Sequence, residues 1–146
     1  MNMSRVDDIL KLVPDARLWE IDWKLIETSA LKEHVDTMRR TPQSPRWHAE
    51  GDVWTHTRMV CEALVSMREY RELPLVQRQI LFLAALLHDV AKPLTTRQDG
   101  REWVSPSHST KGALLARYLL WKECANVISS SLTVSTVLRV ILVLSL

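Results

Sequence analysis

The segment Ile80-Leu81-Phe82-Leu83-Ala84-Ala85-Leu86-Leu87-His88-Asp89-Val90-Ala91 constrains this chain more than any other. The pattern after Pro74 predicts a helix from Val76 to Ala91, with Ile80, Leu81, Leu83, Ala84 and Leu87 making it apolar almost all round. A helix without a polar side belongs in the middle of a domain. This one ends in an imidazole and a carboxylate. Burying an ionised aspartate is costly unless something neutralises it, and imidazole and carboxylate together suit a first-row divalent ion. On the dipeptide alone a simpler alternative stays open: a helix-end aspartate making surface hydrogen bonds beside a half-buried histidine.

The rest of the chain predicts an all-α fold of about five helices. Three glycines in 146 residues, and few β-branched runs before residue 126, argue against a sandwich or barrel. Residues 5–13 form a short amphipathic stretch stopped by Pro14, and Ile26, Leu31, Val35 and Met38 place one helix over about Asp22 to Arg40. Pro42 and Pro45 break the chain. Asp52 is a candidate N-cap for the helix carrying Val53, Met59, Val60 and Leu64. Pro93 ends the apolar helix, Thr95 to Glu102 reads as a loop, and Ser105-Pro106 reads as an N-cap and first helical position for a helix running to about Cys124. No substantial sheet is expected in residues 1–125, which form the helical domain (core motifs in 45–123, leader helices in 1–44). Residues 126–146, whose one charge is Arg139, form an atypical hydrophobic tail, more strand-like than membrane-spanning in composition.

The bulk composition adds exclusions. A formal charge of +2 from 19 basic and 17 acidic residues calls for neither a nucleic-acid nor a membrane partner. Cys61 and Cys124, widely spaced and without a CxxC, read as reduced helix-buried thiols, and the amino terminus has no signal-peptide core. A cytoplasmic protein with no membrane partner is therefore expected. The tryptophans at 19, 23, 47, 54, 103 and 121, scattered without a basic stripe, read as core and loop-packing residues.

The histidines carry different weights. His56 falls one turn into the helix before that of His88, and a short connection makes the two helices antiparallel neighbours. A histidine facing a His-Asp pair begins a metal site. His108 opens a later helix, where backbone N–H groups favour anions, and Lys92 lies one turn after His88. Both are candidate phosphate neighbours, although many such lysines only cap a helix. His34 reads as solvated or partly packed, and His48 with Glu50 as either supporting or turn-forming residues.

In order, His56 and then Leu87-His88-Asp89-Val90-Ala91-Lys92 resemble the His…His-Asp…Asp pattern of the HD superfamily of metal-dependent phosphohydrolases. More narrowly, Trp47-His48-Ala49-Glu50-Gly51-Asp52-Val53-Trp54-Thr55-His56-Thr57, the Leu87–Thr95 stretch and His108-Ser109-Thr110-Lys111-Gly112-Ala113 resemble the HD domain of bacterial CCA-adding tRNA nucleotidyltransferases. The resemblance implies an HD-type helical bundle that hydrolyses phosphomonoesters or cyclic phosphodiesters of nucleotides or RNA ends. It implies a divalent ion (Mn, Ni, Co, Fe or Mg) held by His56, His88 and Asp89, acting as Lewis acid and acidifying a water. Asp89 would orient that water, and Lys92 and His108 would balance charge on the phosphate.

Two departures stand out. The nucleotidyltransferase head has no counterpart, so CCA addition is not expected. The pattern's final aspartate is also missing, since no Asp follows Asp99 and no acidic residue follows Glu123. The helix that would carry it reads as truncated, and weak metal binding with slow turnover is expected. That gap leaves two rivals: a catalytically incomplete HD-like module that binds a nucleotide or partner, and a plain helical structural domain.

Overall fold

The computed structural model describes residues 9–124, whose regular elements are helices apart from one small hairpin. The expectations for residues 1–8 and for the tail 126–146 fall outside the described residues, as do the side chains of Trp121 and Cys124. Ile9 and Leu12 of the leader segment are buried in the core.

The single helix expected over Asp22–Arg40 is two helices, α1 (Trp23–Thr28) and α2 (Lys32–Arg39). Asp22 caps the first, its carboxylate accepting from the Leu25 N–H at 2.9 Å. Ser29 breaks the run. Its hydroxyl donates to the Ile26 carbonyl at 2.7 Å and accepts from the Leu31 N–H at 3.2 Å, offering the backbone a local alternative to helix. The break turns Leu31 into the core beside Ile26, Val35 and Met38.

A closed loop follows. The Gln43 N–H donates to the Gly51 carbonyl at 3.0 Å and the Val53 N–H to the Thr41 carbonyl at 3.0 Å, pinning the ends of a segment that carries His48 and Glu50. Gly51 closes it at φ +95°, a conformation that excludes most side chains. Asp52 then caps α3 (Val53–Ser66) as expected, accepting from the Thr55 N–H at 2.9 Å. Val53, Thr57, Cys61 and Val65 recur every four residues and form the buried stripe of this helix, with His56 at its edge.

A short helix, α4 (Arg68–Arg71), buries Tyr70 and leads to α5 (Leu75–Leu87), which packs along α3. The continuous helix expected to Ala91 stops at Leu87. Residues 87–94 instead tighten into three-residue turns, Val90 N–H to Leu87 O at 3.2 Å and Lys92 N–H to Asp89 O at 3.0 Å. Pro93 therefore does not end the helix; it sits in the first turn of α6 (Lys92–Thr95).

The loop expected over Thr95–Glu102 contains a hairpin, β1 (Arg97–Asp99) paired antiparallel with β2 (Glu102–Val104). Gly100 takes φ +62° in its two-residue turn, the glycine-first pattern of a tight hairpin. A glycine flanked by polar residues was the available signal. The last helix, α7 (His108–Cys124), starts later than the Ser105-Pro106 reading placed it. The Ser105 hydroxyl is engaged with Thr96 Oγ1 at 2.7 Å, and Ser107 takes a left-handed φ of +57° before the helix begins.

Gly112 lets α7 lie against the site. A Cβ there would meet the His88 carbonyl at 3.3 Å and the Ala91 Cβ at 3.8 Å, so α7 approaches the backbone of the His-Asp turn through this residue. His108 is one turn earlier on the same face. Gly112→Leu is expected to destabilise the fold by about 1–3 kcal/mol through overpacking. The measurement is a lower denaturant midpoint at unchanged slope; a midpoint equal to wild type would mean that the helix has room to move.

Candidate metal centre

The cleft is formed where the end of α5 meets α3, α6 and the start of α7. Asp89 is its floor, a carboxylate only 2% exposed. Around Oδ2 lie His88 Nε2 at 3.1 Å, Lys92 Nζ at 2.9 Å and His56 Nε2 at 3.9 Å, while His108 Nε2 is 3.8 Å from Oδ1. All four side chains singled out in the sequence thus meet at one carboxylate. Ligand atoms of His56, His88 and Asp89 lie within 4.8 Å of one another, close enough to share one ion.

Both imidazoles are held from behind. His88 Nδ1 is 2.6 Å from the Ala85 carbonyl one turn back, so Nδ1 carries the proton and Nε2 faces the cleft. His56 Nδ1 is 2.6 Å from Glu50 Oε1, and the same oxygen is 3.2 Å from His48 Nδ1. Glu50 therefore joins two imidazoles from the pinned loop, with the His48 and His56 rings 4.6 Å apart, edge to face. A carboxylate behind a histidine orients the ring and raises its basicity toward a cation. His34, by contrast, is a half-buried residue of α2.

The electrostatics follow from burial and neighbours. Burial pushes the Asp89 carboxyl up, but the His88 and Lys92 cations beside it prevail and hold it well below the usual carboxylate range. Burial lowers the His88 pKa, yet Asp89 and the Ala85 carbonyl reverse the sign and raise it. At His56 burial wins over Asp89 and Glu50, and its pKa is lowered. The lowered pKa favours the neutral form of His56, the form that offers a lone pair.

A divalent ion fits this donor set. Asp89 Oδ2 is fully enclosed, and although Lys92 Nζ lies 2.9 Å and His88 Nε2 3.1 Å away it receives no well-aligned hydrogen bond. Lys92 Nζ also donates to Gln43 Oε1, 2.7 Å away. A buried carboxylate oxygen whose neighbours leave it without a well-aligned hydrogen bond is suited to a cation. Gln43, itself buried, was invisible to sequence reasoning because it lies 49 residues from Lys92 and no local pattern marks it. A second group, His48, Glu50 and His56, has comparable spacing, but its shared Glu50 oxygen is already engaged by both rings.

Of the five tryptophans whose side chains are described, Trp19, Trp23 and Trp54 pack as expected, whereas Trp103 in β2 is 36% exposed. Trp54 is buried, Trp23 lies edge-on to it at 5.6 Å, and Trp19 packs on Tyr70 at 6.3 Å. Trp47 does not. It is 72% exposed beside His48, with the Arg46 guanidinium over its ring at 4.9 Å. Cys61 is buried in α3, and burial pushes its thiol far up, which makes it inert. No helix among the described residues is long and apolar enough to cross a membrane.

Fold and cleft together define a class: a helical domain whose central helix ends in a His-Asp pair facing a histidine of the neighbouring helix. The sequence model of the HD domain family matches residues 53–139, and the chain belongs to that family. Among curated relatives, it is 31% identical over 93 residues to a multifunctional CCA protein of Shewanella frigidimarina, covering 64% of this chain and 19% of that protein. It is 40% identical over 65 residues to a multifunctional CCA protein of Halorhodospira halophila, covering 44% and 14% respectively. The chain thus spans less than a fifth of the length of these relatives. No solved structure matches.

Proposed function

We propose that this domain is a metal-dependent phosphohydrolase acting on phosphomonoesters or cyclic phosphodiesters of nucleotides or RNA ends. The observation that carries the reading is the convergence of His56, His88 and Asp89 within 4.8 Å around a buried carboxylate. Those three residues would hold the divalent ion, which supplies Lewis acidity to a phosphoryl oxygen and acidifies a water. Asp89, kept ionised by its neighbours, would accept a hydrogen bond from an attacking water and so orient it. Glu50 fixes the His56 ring, and the Ala85 carbonyl fixes that of His88. His108 and Lys92, near opposite oxygens of Asp89, bring positive charge to the place where a phosphoryl group gathers negative charge. Buried Cys61 suits a cytoplasmic setting.

The test is hydrolysis of a 2′,3′-cyclic nucleotide and of a nucleoside monophosphate, with manganese or nickel added. Turnover that is metal-dependent and lost in His56→Ala supports the reading. Turnover indifferent to both metal and His56 sinks it.

A further inference from the structure

Lys92 is a buried ammonium, 8% exposed, and its position is not that of a lysine capping a helix end. Its Nζ lies between two acceptors, Asp89 Oδ2 at 2.9 Å and Gln43 Oε1 at 2.7 Å. One is a charged member of the candidate metal cleft. The other is a neutral amide on the pinned loop, also buried, and held near the Asp52 carbonyl through its own Nε2 at 3.5 Å. The better-aligned hydrogen bond goes to the amide, while the carboxylate forms a close ion pair with the same ammonium.

From this arrangement we infer that Lys92 and Gln43 form a handover device that sets how readily Asp89 is given to a divalent cation. The inference rests on the metal-cleft reading above. In the metal-free chain the Lys92 ammonium is the counter-ion of the Asp89 carboxylate, so the buried charge is compensated and the turn keeps its shape. A divalent ion entering the cleft must share that carboxylate with a cation already beside it, and at this separation in a buried site like-charge repulsion is strong. Lys92 therefore opposes metal binding. Gln43 acts in the other direction. It offers the ammonium an uncharged acceptor that remains after the carboxylate is committed elsewhere, so Lys92 need not be left buried and unpaired. Both are positioning residues: neither is a ligand, and they move metal affinity with opposite signs.

Opposite signs separate this from a structural role, in which removal of either partner would loosen the cleft and weaken binding alike. The experiment titrates manganese(II) alone into the 146-residue chain, following the signal of the free ion by electron paramagnetic resonance. Thermal unfolding of each variant in the absence of metal checks the fold. Lys92→Met keeps length and removes charge, and its thioether is a poor ligand for manganese. It is expected to bind manganese about tenfold more tightly than wild type. Gln43→Met is expected to bind it several-fold more weakly, because the ammonium then depends on Asp89 alone. In the double variant the Gln43 substitution should have no further effect, and affinity should match Lys92→Met.

A fall in affinity in both single variants, or an additive double variant, overturns the inference while leaving the cleft intact, provided that His88→Ala abolishes binding. Absence of manganese binding by wild type, or binding unchanged in His88→Ala, overturns both the inference and the metal-cleft reading.

Discussion

Asp89→Asn is expected to reduce affinity for a divalent ion by more than about 100-fold, beyond the roughly 10–100-fold typical when only a supporting residue is lost. Asparagine preserves the shape of the side chain, so the change isolates its charge. Asp89 is the only acidic member of the His56, His88 and Asp89 group, and its loss would leave two neutral imidazoles facing an ion beside the Lys92 cation. Glu50→Gln is the graded companion. It removes the carboxylate 2.6 Å behind His56 Nδ1 without touching the cleft itself, and a loss of about 10–100-fold is expected. Metal content after dialysis and calorimetric titration both read the effect. If Asp89→Asn retains metal as wild type does, the ion is held elsewhere. If Glu50→Gln matches wild type, the His48–Glu50–His56 chain serves only to shape the loop.

The largest expected effect on stability is at Phe82. Its side chain is fully buried on α5, within the cluster that joins α3, α5 and the leader residues Ile9 and Leu12. Phe82→Ala removes a ring from a packed interior and leaves a cavity, a change that costs about 3–5 kcal/mol. Against the marginal stability of about 5–15 kcal/mol for an ordinary domain, that is a large share. Chemical denaturation should show it as a lower midpoint. Because α5 delivers His88 and Asp89 into the cleft, manganese affinity should weaken in parallel. A loss under about 1 kcal/mol would mean that the core collapses around the missing ring.

The local rules read well wherever a residue interacts with its own neighbourhood in the chain. Asp52 capped α3 as its residue type and position indicated, and the apolar run of α5 became the buried centre. The pairing of the His56 and His88 helices followed from the length of the connection between them, so the three candidate ligands could be found together. Local rules failed where two of them competed. Apolar spacing over residues 22–40 argued for one helix, and the hydroxyl of Ser29 divided it. Hydrophobicity argued for a helix running to Ala91, and residues 87–94 tighten into three-residue turns instead.

From the order of its residues alone, this chain is determined to be helical, to bury α5, and to bring His56 near His88 and Asp89, because each of these depends on periodicity and short connections. Tertiary structure alone decided how the cleft is tuned. Gln43 reaches Lys92 across 49 residues, and Glu50 ties two imidazoles together from a loop whose closure depends on backbone hydrogen bonds. Gly112 admits α7 to the back of the His-Asp turn. Contacts of this kind have no period and no fixed spacing. They exist because packed elements approach within a few ångströms, and which side chains meet there is settled only when the core has formed.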